Sequence, residues 1–427
     1  HRQTHFDDLA LFWSPPAQGC PARSITYGLS VPFVPTLVLL PQTSAAHFQR
    51  TRGGNILSPT NQPPPVVPAV TPRLHRTTSG IRINKVTTSY AGLLTSVKEA
   101  GLLDRCRRYY VLLLVLLVIA GAGVWVAFFF VGDSWLQLAV AAMLGVVFTQ
   151  FALVGHEAAH LQVFMSRTAN EWAARLIATL MVGMSYAYWT DKHSRHHARP
   201  NMINRDPDIA PGAIVFHNEV PTSRGRLSRA YGKRQGYLLF PFLLFLGWTL
   251  HIDSLKFLLH RGPVKFRWLE LGLLGVRFGA YIGLLFFVLS PGVATAFIGV
   301  QVAVFGLYMG GTFAPNHKGM PILPENSRAD FLTRQVLTSR NITGGKLVTF
   351  FMGGLNYQIE HHLFPDMPRR HLRQASQLVK AHCVLMGIPY TETGLMRSYG
   401  IVIRYLNSVG LAAADPFTCP LAGQHRS

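Results

Sequence analysis

Two apolar runs separated by only three residues constrain this 427-residue chain more than any other feature. Tyr110 to Val131 supplies roughly the twenty apolar residues that a helix needs to cross a bilayer core, and Trp135 to Gly155 supplies a second such stretch. The link between them, Gly132-Asp133-Ser134, permits only a helical hairpin, so a chain entering after Arg105, Arg107 and Arg108 returns to the same face at His156. A second hairpin is expected at Trp268 to Ser290 and Gly292 to Ala314, turning at Ser290-Pro291-Gly292. It is entered past Arg261, Lys265 and Arg267 and ends at His317-Lys318. The positive-inside rule puts the open ends of both hairpins, the N-terminus and the C-terminus in the cytoplasm, most simply at the cell membrane.

Composition agrees with a membrane protein: 49% of residues are hydrophobic and only 14% charged. The formal charge of +21 raises the question of nucleic acid. Its basic residues, however, flank the apolar runs, where anionic lipid and topology account for them, and no nucleic-acid motif accompanies them. Nucleic acid is therefore not expected as a partner. Cys20, Cys106, Cys383 and Cys419 lack CxxC spacing and indicate neither a disulfide framework nor a thiolate metal site.

Residues 1–75, with Pro15-Pro16, Pro63-Pro64-Pro65 and no sustained periodicity, read as a disordered extension. The proline-interrupted run Ser30 to Pro41 lacks the basic start of a signal peptide. A cytoplasmic lead-in is expected at 76–108, a membrane domain at 109–370, cytoplasmic or interfacial helices at 371–411 and a tail at 412–427. Ala173 to Trp189 and Gly236 to Leu250 fall short of confident spans or carry turn residues, and are expected at the interface or partly embedded.

Seven of the 18 histidines lie in three clusters beside these runs: His156-Glu157-Ala158-Ala159-His160, His193-Ser194-Arg195-His196-His197 and Gln358-Ile359-Glu360-His361-His362. Imidazole is a common ligand for iron, zinc and copper, and this number exceeds what one tetrahedral ion uses, so two metal ions are inferred. His156 and His160, at i and i+4, share a helix face. Adjacent pairs such as His196-His197 and His361-His362 diverge by about 100° on a helix and can serve two ions. His317, just past the fourth span, becomes an eighth candidate, with Asn316 a weaker one, and Gln358 offers a weak oxygen ligand or a supporting hydrogen bond. Glu157, Asp191, Asp206, Asp208 and Glu360 are candidates for orienting the imidazoles, none of them as a catalytic base. The isolated His217, His251, His260 and His371 are read as ordinary polar residues. Taken alone, the first cluster also matches the HExxH zinc-protease pattern, with Glu157 as base. The fold class that emerges is an all-α polytopic membrane protein of two transmembrane hairpins, about four spans, with a cytoplasmic helical cap holding a dimetal site.

The clusters, their order, their spacing and their placement around paired hairpins resemble the membrane fatty-acid desaturase family over Tyr110 to Arg370. Leu355-Asn356-Tyr357-Gln358-Ile359-Glu360-His361-His362-Leu363-Phe364-Pro365 looks like the Gln-containing third box of the acyl-CoA and front-end branch. No HPGG haem motif is present, so the chain resembles stand-alone bacterial members that use a separate electron donor. Glu157 departs from the family, which more often has Asp there.

The resemblance implies two iron ions, O2 as co-substrate, and electrons from NAD(P)H through a separate reductase, with ferredoxin, cytochrome b5 or a flavin reductase delivering them. It implies a cis double bond in a long-chain acyl-CoA or, secondly, an acyl-lipid, at Δ9 or, as runner-up, Δ6. A hydroxylase, ketolase or alkane monooxygenase with the same histidine chemistry is the nearest rival; an intramembrane zinc protease or a non-catalytic sensor is remote. Lys192, Arg195, Arg199 and Arg205 are expected to set topology or to meet an acyl-CoA phosphate. Arg277 inside the third span, with Glu270 two turns earlier, is either functional or turned into the bundle. The sequon Asn341-Ile342-Thr343 falls on the cytoplasmic side and is expected to be unglycosylated.

Overall fold

The computed structural model describes residues 90–218 and 231–412; the expected extension 1–75 and the tail after Ala412 lie outside the described residues. The described chain is an all-α polytopic membrane protein. A helix over 90–99 (α1) precedes the first hairpin, α2 (Arg107–Val131) and α3 (Gln137–Ala159). Then come α4 (Arg167–Arg175), a π-helical turn (Leu176–Val182) and α5 (Tyr186–Ala198). The long helices α6 (Gln235–Leu259), α7 (Arg267–Val288) and α8 (Pro291–His317) follow. A cap is made by α9 (Phe331–Leu337), α10 (Gly345–Phe351), α11 (Gln358–Leu363), α12 (Leu372–Met386) and α13 (Leu395–Ala412). Two three-residue strands, β1 (Asn341–Thr343) and β2 (Glu392–Gly394), pair in parallel within the cap, Asn341 opposite Glu392.

Both expected hairpins are present, and they stand side by side. Gln137 closes the first by donating to the carbonyls of Phe128 and Gly132, at 2.7 and 2.9 Å, at the end of α2. The far links touch: Ser290 donates from its backbone nitrogen and its hydroxyl to Asp133, each at 3.0 Å. Packing makes α3 the central helix. Its apolar window is 67% buried, against 22% for α2 and 17% for α7, whose outer faces remain apolar and exposed.

Among the described residues five helices, rather than four, are long and apolar enough to cross a membrane. The additional one is α6, which contains the whole Gly236 to Leu250 stretch and crosses α8 where both backbones are bare. A Cβ on Gly306 would lie 2.5 Å from the nitrogen of Gly247 and 2.5 Å from the carbonyl oxygen of Leu243. Both ends of α6 are nevertheless tied to the side of the histidines. At its start Gln235 exchanges two hydrogen bonds of 2.9 Å with Val215 and donates to Leu406. Near its end the Ser254 hydroxyl accepts from the nitrogen of Ser185, the residue that caps α5. The first turn of α7 starts from the same place, because Glu270 accepts from the Ser185 hydroxyl at 2.6 Å and from the nitrogen of Ala187. α6 therefore does not carry the chain to the far links, and the return to the histidine side expected of the second hairpin is preserved.

Ala173 to Trp189 is not one helix. The π-helical turn ends at Gly183, which adopts φ +90°, and Ser185 restarts the chain as α5 by accepting from the nitrogen of Tyr188. A side chain at Gly183 would also press on Phe278, 3.0 Å from the Cβ position. The break redirects the chain so that α5 presents the second histidine cluster.

Candidate metal centre

The three clusters come from α3, α5 and α11, with His317 from the end of α8. The structure gathers all eight histidines. Coordinating atoms of His156, His160, His193, His197 and His361 lie within 4.8 Å of one another, and those of His196, His317 and His362 form a second group by the same measure. The Nε2 atoms of His193 stand 3.1 Å from His156 and 2.9 Å from His160; the Nε2 of His317 stands 3.1 Å from His362 and 3.4 Å from His196. Nitrogens bound to one ion at about 2.1 Å are separated by roughly 3.0–3.4 Å, so these spacings suit shared coordination. The groups adjoin, with the rings of His197 and His362 stacked at 4.2 Å.

The donor set fits metal ions better than it fits hydrogen bonding alone. Both ring nitrogens of His197 and the Nε2 of His361 are buried without a hydrogen-bond partner, an arrangement that costs about 1–3 kcal/mol per group unless something else occupies it. Burial and neighbouring imidazoles hold His193, His197, His361 and His362 well below the usual imidazole range, and burial takes His160 down to about 3. These rings are neutral at physiological pH, the form that binds metal.

The remaining ring nitrogens are held from outside. His317 gives Nδ1 to the carbonyl of Thr338 at 2.9 Å. His362 gives Nδ1 to Gln335 at 3.0 Å, and Gln335 in turn donates to the carbonyl of His197. His196 faces Asp206, whose two oxygens are each 3.0 Å from Nδ1. Burial alone would depress His196, but the attraction of Asp206 outweighs it and raises the ring above its usual value. Each pairing leaves Nε2 directed at the metal group.

A family model described as fatty acid desaturase matches residues 133–394, more than half of the chain. The chain belongs to the fatty acid desaturase family. Relatives include an acyl-lipid (9-3)-desaturase of Physcomitrium patens, 30% identical over 291 residues, covering 65% of this chain and 54% of that one. A Δ5 fatty acid desaturase of Caenorhabditis elegans is 27% identical over 354 residues, 78% of this chain and 75% of its own length. A Δ6 fatty acid desaturase of the same animal is 28% identical over 286 residues, 63% and 64% of the two chains. The family is one of oxidoreductases acting on fatty acids.

Several residues singled out in the sequence sit elsewhere than expected. Asp191 is paired with Arg195 at 2.8 Å on the surface and reaches no metal group, so it orients no ligand. Glu360 is buried but accepts from Asn341 and from Tyr390 rather than from a histidine; burial pushes it up to about 7. The same bond buries the asparagine of the sequon within the cap. Glu157 holds a bidentate ion pair with Arg369, at 2.6 and 2.5 Å, and accepts from Tyr110. The extra methylene of Glu over Asp is thus used to reach Arg369, and Glu157 braces the first cluster against the chain following the third. Gln358 is also settled by its neighbours. Asn316 must turn its NH2 to the carbonyls of Thr312 and Leu355, so Gln358 offers its oxygen to Asn316 and its NH2 to His317, 2.9 Å away. In this geometry the Gln358 oxygen is committed to Asn316 and its NH2 points at Nε2 of His317, the atom a metal would take, so the NH2 must turn aside when His317 coordinates; the buried Asn316 oxygen is left unpartnered beside it. Asp208 completes a group with His196 and Asp206 and pairs with Lys192 at 2.7 Å.

Gln335, Thr338 and Asn201 escaped sequence reading. Asn201 donates from its backbone to Asp206 at 2.7 Å and from its side chain to the carbonyl of His317 at 3.0 Å. None of the three carries a motif, and Thr338 acts through its backbone. Trp189, stacked on His193 at 4.3 Å, was within reach of a spacing argument, four residues earlier on the same helix.

Proposed function

We propose that this chain is an O2-dependent fatty acyl desaturase with a two-iron centre, and that it acts on the cytoplasmic side of the membrane, with both termini on that side. The observation that carries the reading is the sorting of eight histidines into two adjoining groups, with buried unpartnered nitrogens, at one end of apolar helices. His156, His160, His193, His197 and His361 would hold one iron, and His196, His317 and His362 the other. Asp206, Gln335 and the carbonyl of Thr338 hold the rings of His196, His362 and His317 by Nδ1. The irons, once bound, supply O2 activation and the removal of two hydrogens from neighbouring methylenes, with electrons from NAD(P)H through a redox partner.

The chain's own part is to bring an unreactive hydrocarbon to that centre and keep water away. A cavity of about 530 Å³ runs along α6 and α8 to His193, His196 and His317. Leu243, Leu246, Leu250, Met309 and Phe313 form apolar walls, and Lys192, Asp208 and Lys318 form a polar end. An acyl chain laid along these walls excludes water, and its ester or thioester meets the polar end. Acyl-CoA remains the first substrate class and acyl-lipid the second. Lys192, Arg195 and Arg205 are each paired with a carboxylate, which weakens the case for a phosphate cradle at those residues.

The polar end lies next to the ligands in sequence: Lys192 precedes His193 and Lys318 follows His317. A carboxyl group held there would place the new double bond close to it. Relatives named for Δ5 and Δ6 positions support the same choice, so the front-end position ranks above Δ9. A zinc protease is disfavoured, because Glu157, its required base, is locked onto Arg369. Expression in a host lacking its own desaturase, with a supplied electron donor, tests the reading. Products two hydrogens lighter, with the double bond located by mass spectrometry, are expected. Products gaining one oxygen would reassign the chain to the hydroxylases, and unchanged fatty acids with iron bound would reject the proposal.

A further inference from the structure

Arg277 remains unused by this account. It lies on α7, ten residues from Arg267, which is about 15 Å into the apolar span at the rise of an α-helix. Its Nε donates to the carbonyl of Met181 at 3.0 Å, in the π-helical turn, and its guanidinium packs over the rings of Phe148 and Tyr281 at 4.7 and 4.5 Å. Glu270, the acid nearest along the helix, is bonded to Arg175 and the start of α5. The two terminal amino groups of Arg277 thus have no hydrogen-bond or ion-pair partner among the described residues.

Arg277 lines a cavity of about 790 Å³ between α6, α7 and α8, a size in the range of small-molecule sites. Its walls are apolar, with Trp248, Leu274, Phe278 and Ile298 among them. The polar groups facing it beside Arg277 are few. Tyr281 donates its hydroxyl to the Gln301 oxygen at 3.2 Å, which leaves the Gln301 NH2 as a further donor. His251 gives its Nδ1 hydrogen to the carbonyl of Gly183. The cavity therefore combines a long apolar wall with a fixed cation and a neutral donor, and lacks any carboxylate of its own.

We propose that this cavity is a second lipid site, separate from the acyl cavity, that takes the carboxylate of a single-chain, non-esterified fatty acid at Arg277 with its tail along α6 and α8. A guanidinium offers paired donors that match a carboxylate, and inside an apolar span the alternative is an unpaired charge. A phospholipid headgroup does not suit this depth, since its phosphate sits at the membrane surface. The site is walled by Val182, and Met181 and Gly183 bond to Arg277 and His251; Met184, next in sequence, lines the acyl cavity.

The test uses the full chain in phospholipid nanodiscs and a photoreactive diazirine analogue of palmitic acid. Crosslinks are expected on α6, α7 and α8 around Trp248, Phe278 and Ile298, displaced by palmitate but not by methyl palmitate. Arg277→Gln should weaken labelling at least tenfold and Arg277→Lys less. Gly299→Phe gives a second arm, because a Cβ there meets nothing within 4 Å and the ring would project from the cavity wall on α8 and leave the Arg277 side chain itself unchanged. It should abolish labelling in a protein that still folds. Equal displacement by methyl palmitate, or unchanged labelling in Arg277→Gln and Gly299→Phe, would overturn the proposal and leave an ordinary lipid-facing groove. The readout is binding, so it stands or falls independently of the reaction.

Discussion

Asp206 shows how much of the proposed centre depends on residues that orient its histidines. It fixes the His196 proton on Nδ1 and is itself fixed by the backbone nitrogens of Asn201 and Asp208, at 2.7 and 2.9 Å. Replacing it by Asn leaves the size of the side chain but removes the charge that orients the ring. Such partners typically contribute about 10–100-fold to metal affinity or activity. Asp206→Asn is therefore expected to lower turnover by that factor while the protein still folds, measured by product formation beside iron content. Unchanged turnover would show that His196 needs no such support. Arg369 belongs to the same scale. Its removal leaves Glu157 charged and buried, and breaking a buried pair of this kind typically costs about 3–5 kcal/mol. Arg369→Ala should markedly lower the thermal midpoint of the purified protein; a shift no larger than that of a surface arginine would contradict the bracing role.

At the level of elements, the first hairpin, the second hairpin and the three clusters were legible in the sequence, because each is a local signal: apolar length, a three-residue turn, or histidine spacing. α6 was not, since Pro241 and the polar Thr249, His251 and Asp253 interrupt its hydropathy while its packing depends on glycines that meet α8 from far along the chain. Gly247 and Gly306 have no local signature of contact. The ends of α6, pinned by Gln235 and Ser254, reconcile a fifth long helix with a shared histidine face. Gly306→Val tests that contact. The helices would have to separate to admit the side chain, and a loss of stability well beyond the roughly 1–3 kcal/mol typical of overpacking is expected in thermal or denaturant unfolding. Gly279, whose Cβ would meet nothing within 4 Å, is the control and should tolerate Ala. Equal behaviour of the two variants would argue against close packing of α6 on α8.

For the molecule as a whole, pairing of the far links predicts a clear sidedness. In a cysteine-free background, Ser134→Cys should react with a membrane-impermeant maleimide on intact cells, whereas Glu325→Cys, on the histidine side and 46% exposed in its side chain, should react only after permeabilisation. Labelling of both without permeabilisation would invert or break the proposed topology. The site was partly legible at this scale too. All eight histidines were identifiable, seven by tight spacing and His317 by its place at the end of a span, but their division into five and three depended on which rings of α5 and α11 face each other in the fold. Adjacent histidines were recognisable as diverging, yet their partners were not.

The most direct test of the central claim is the iron content of the purified protein, determined together with zinc and repeated for His361→Ala and His362→Ala. Two irons per chain are expected, with each variant losing iron and activity together. One zinc per chain, with activity surviving both substitutions, would contradict a centre built from all eight histidines.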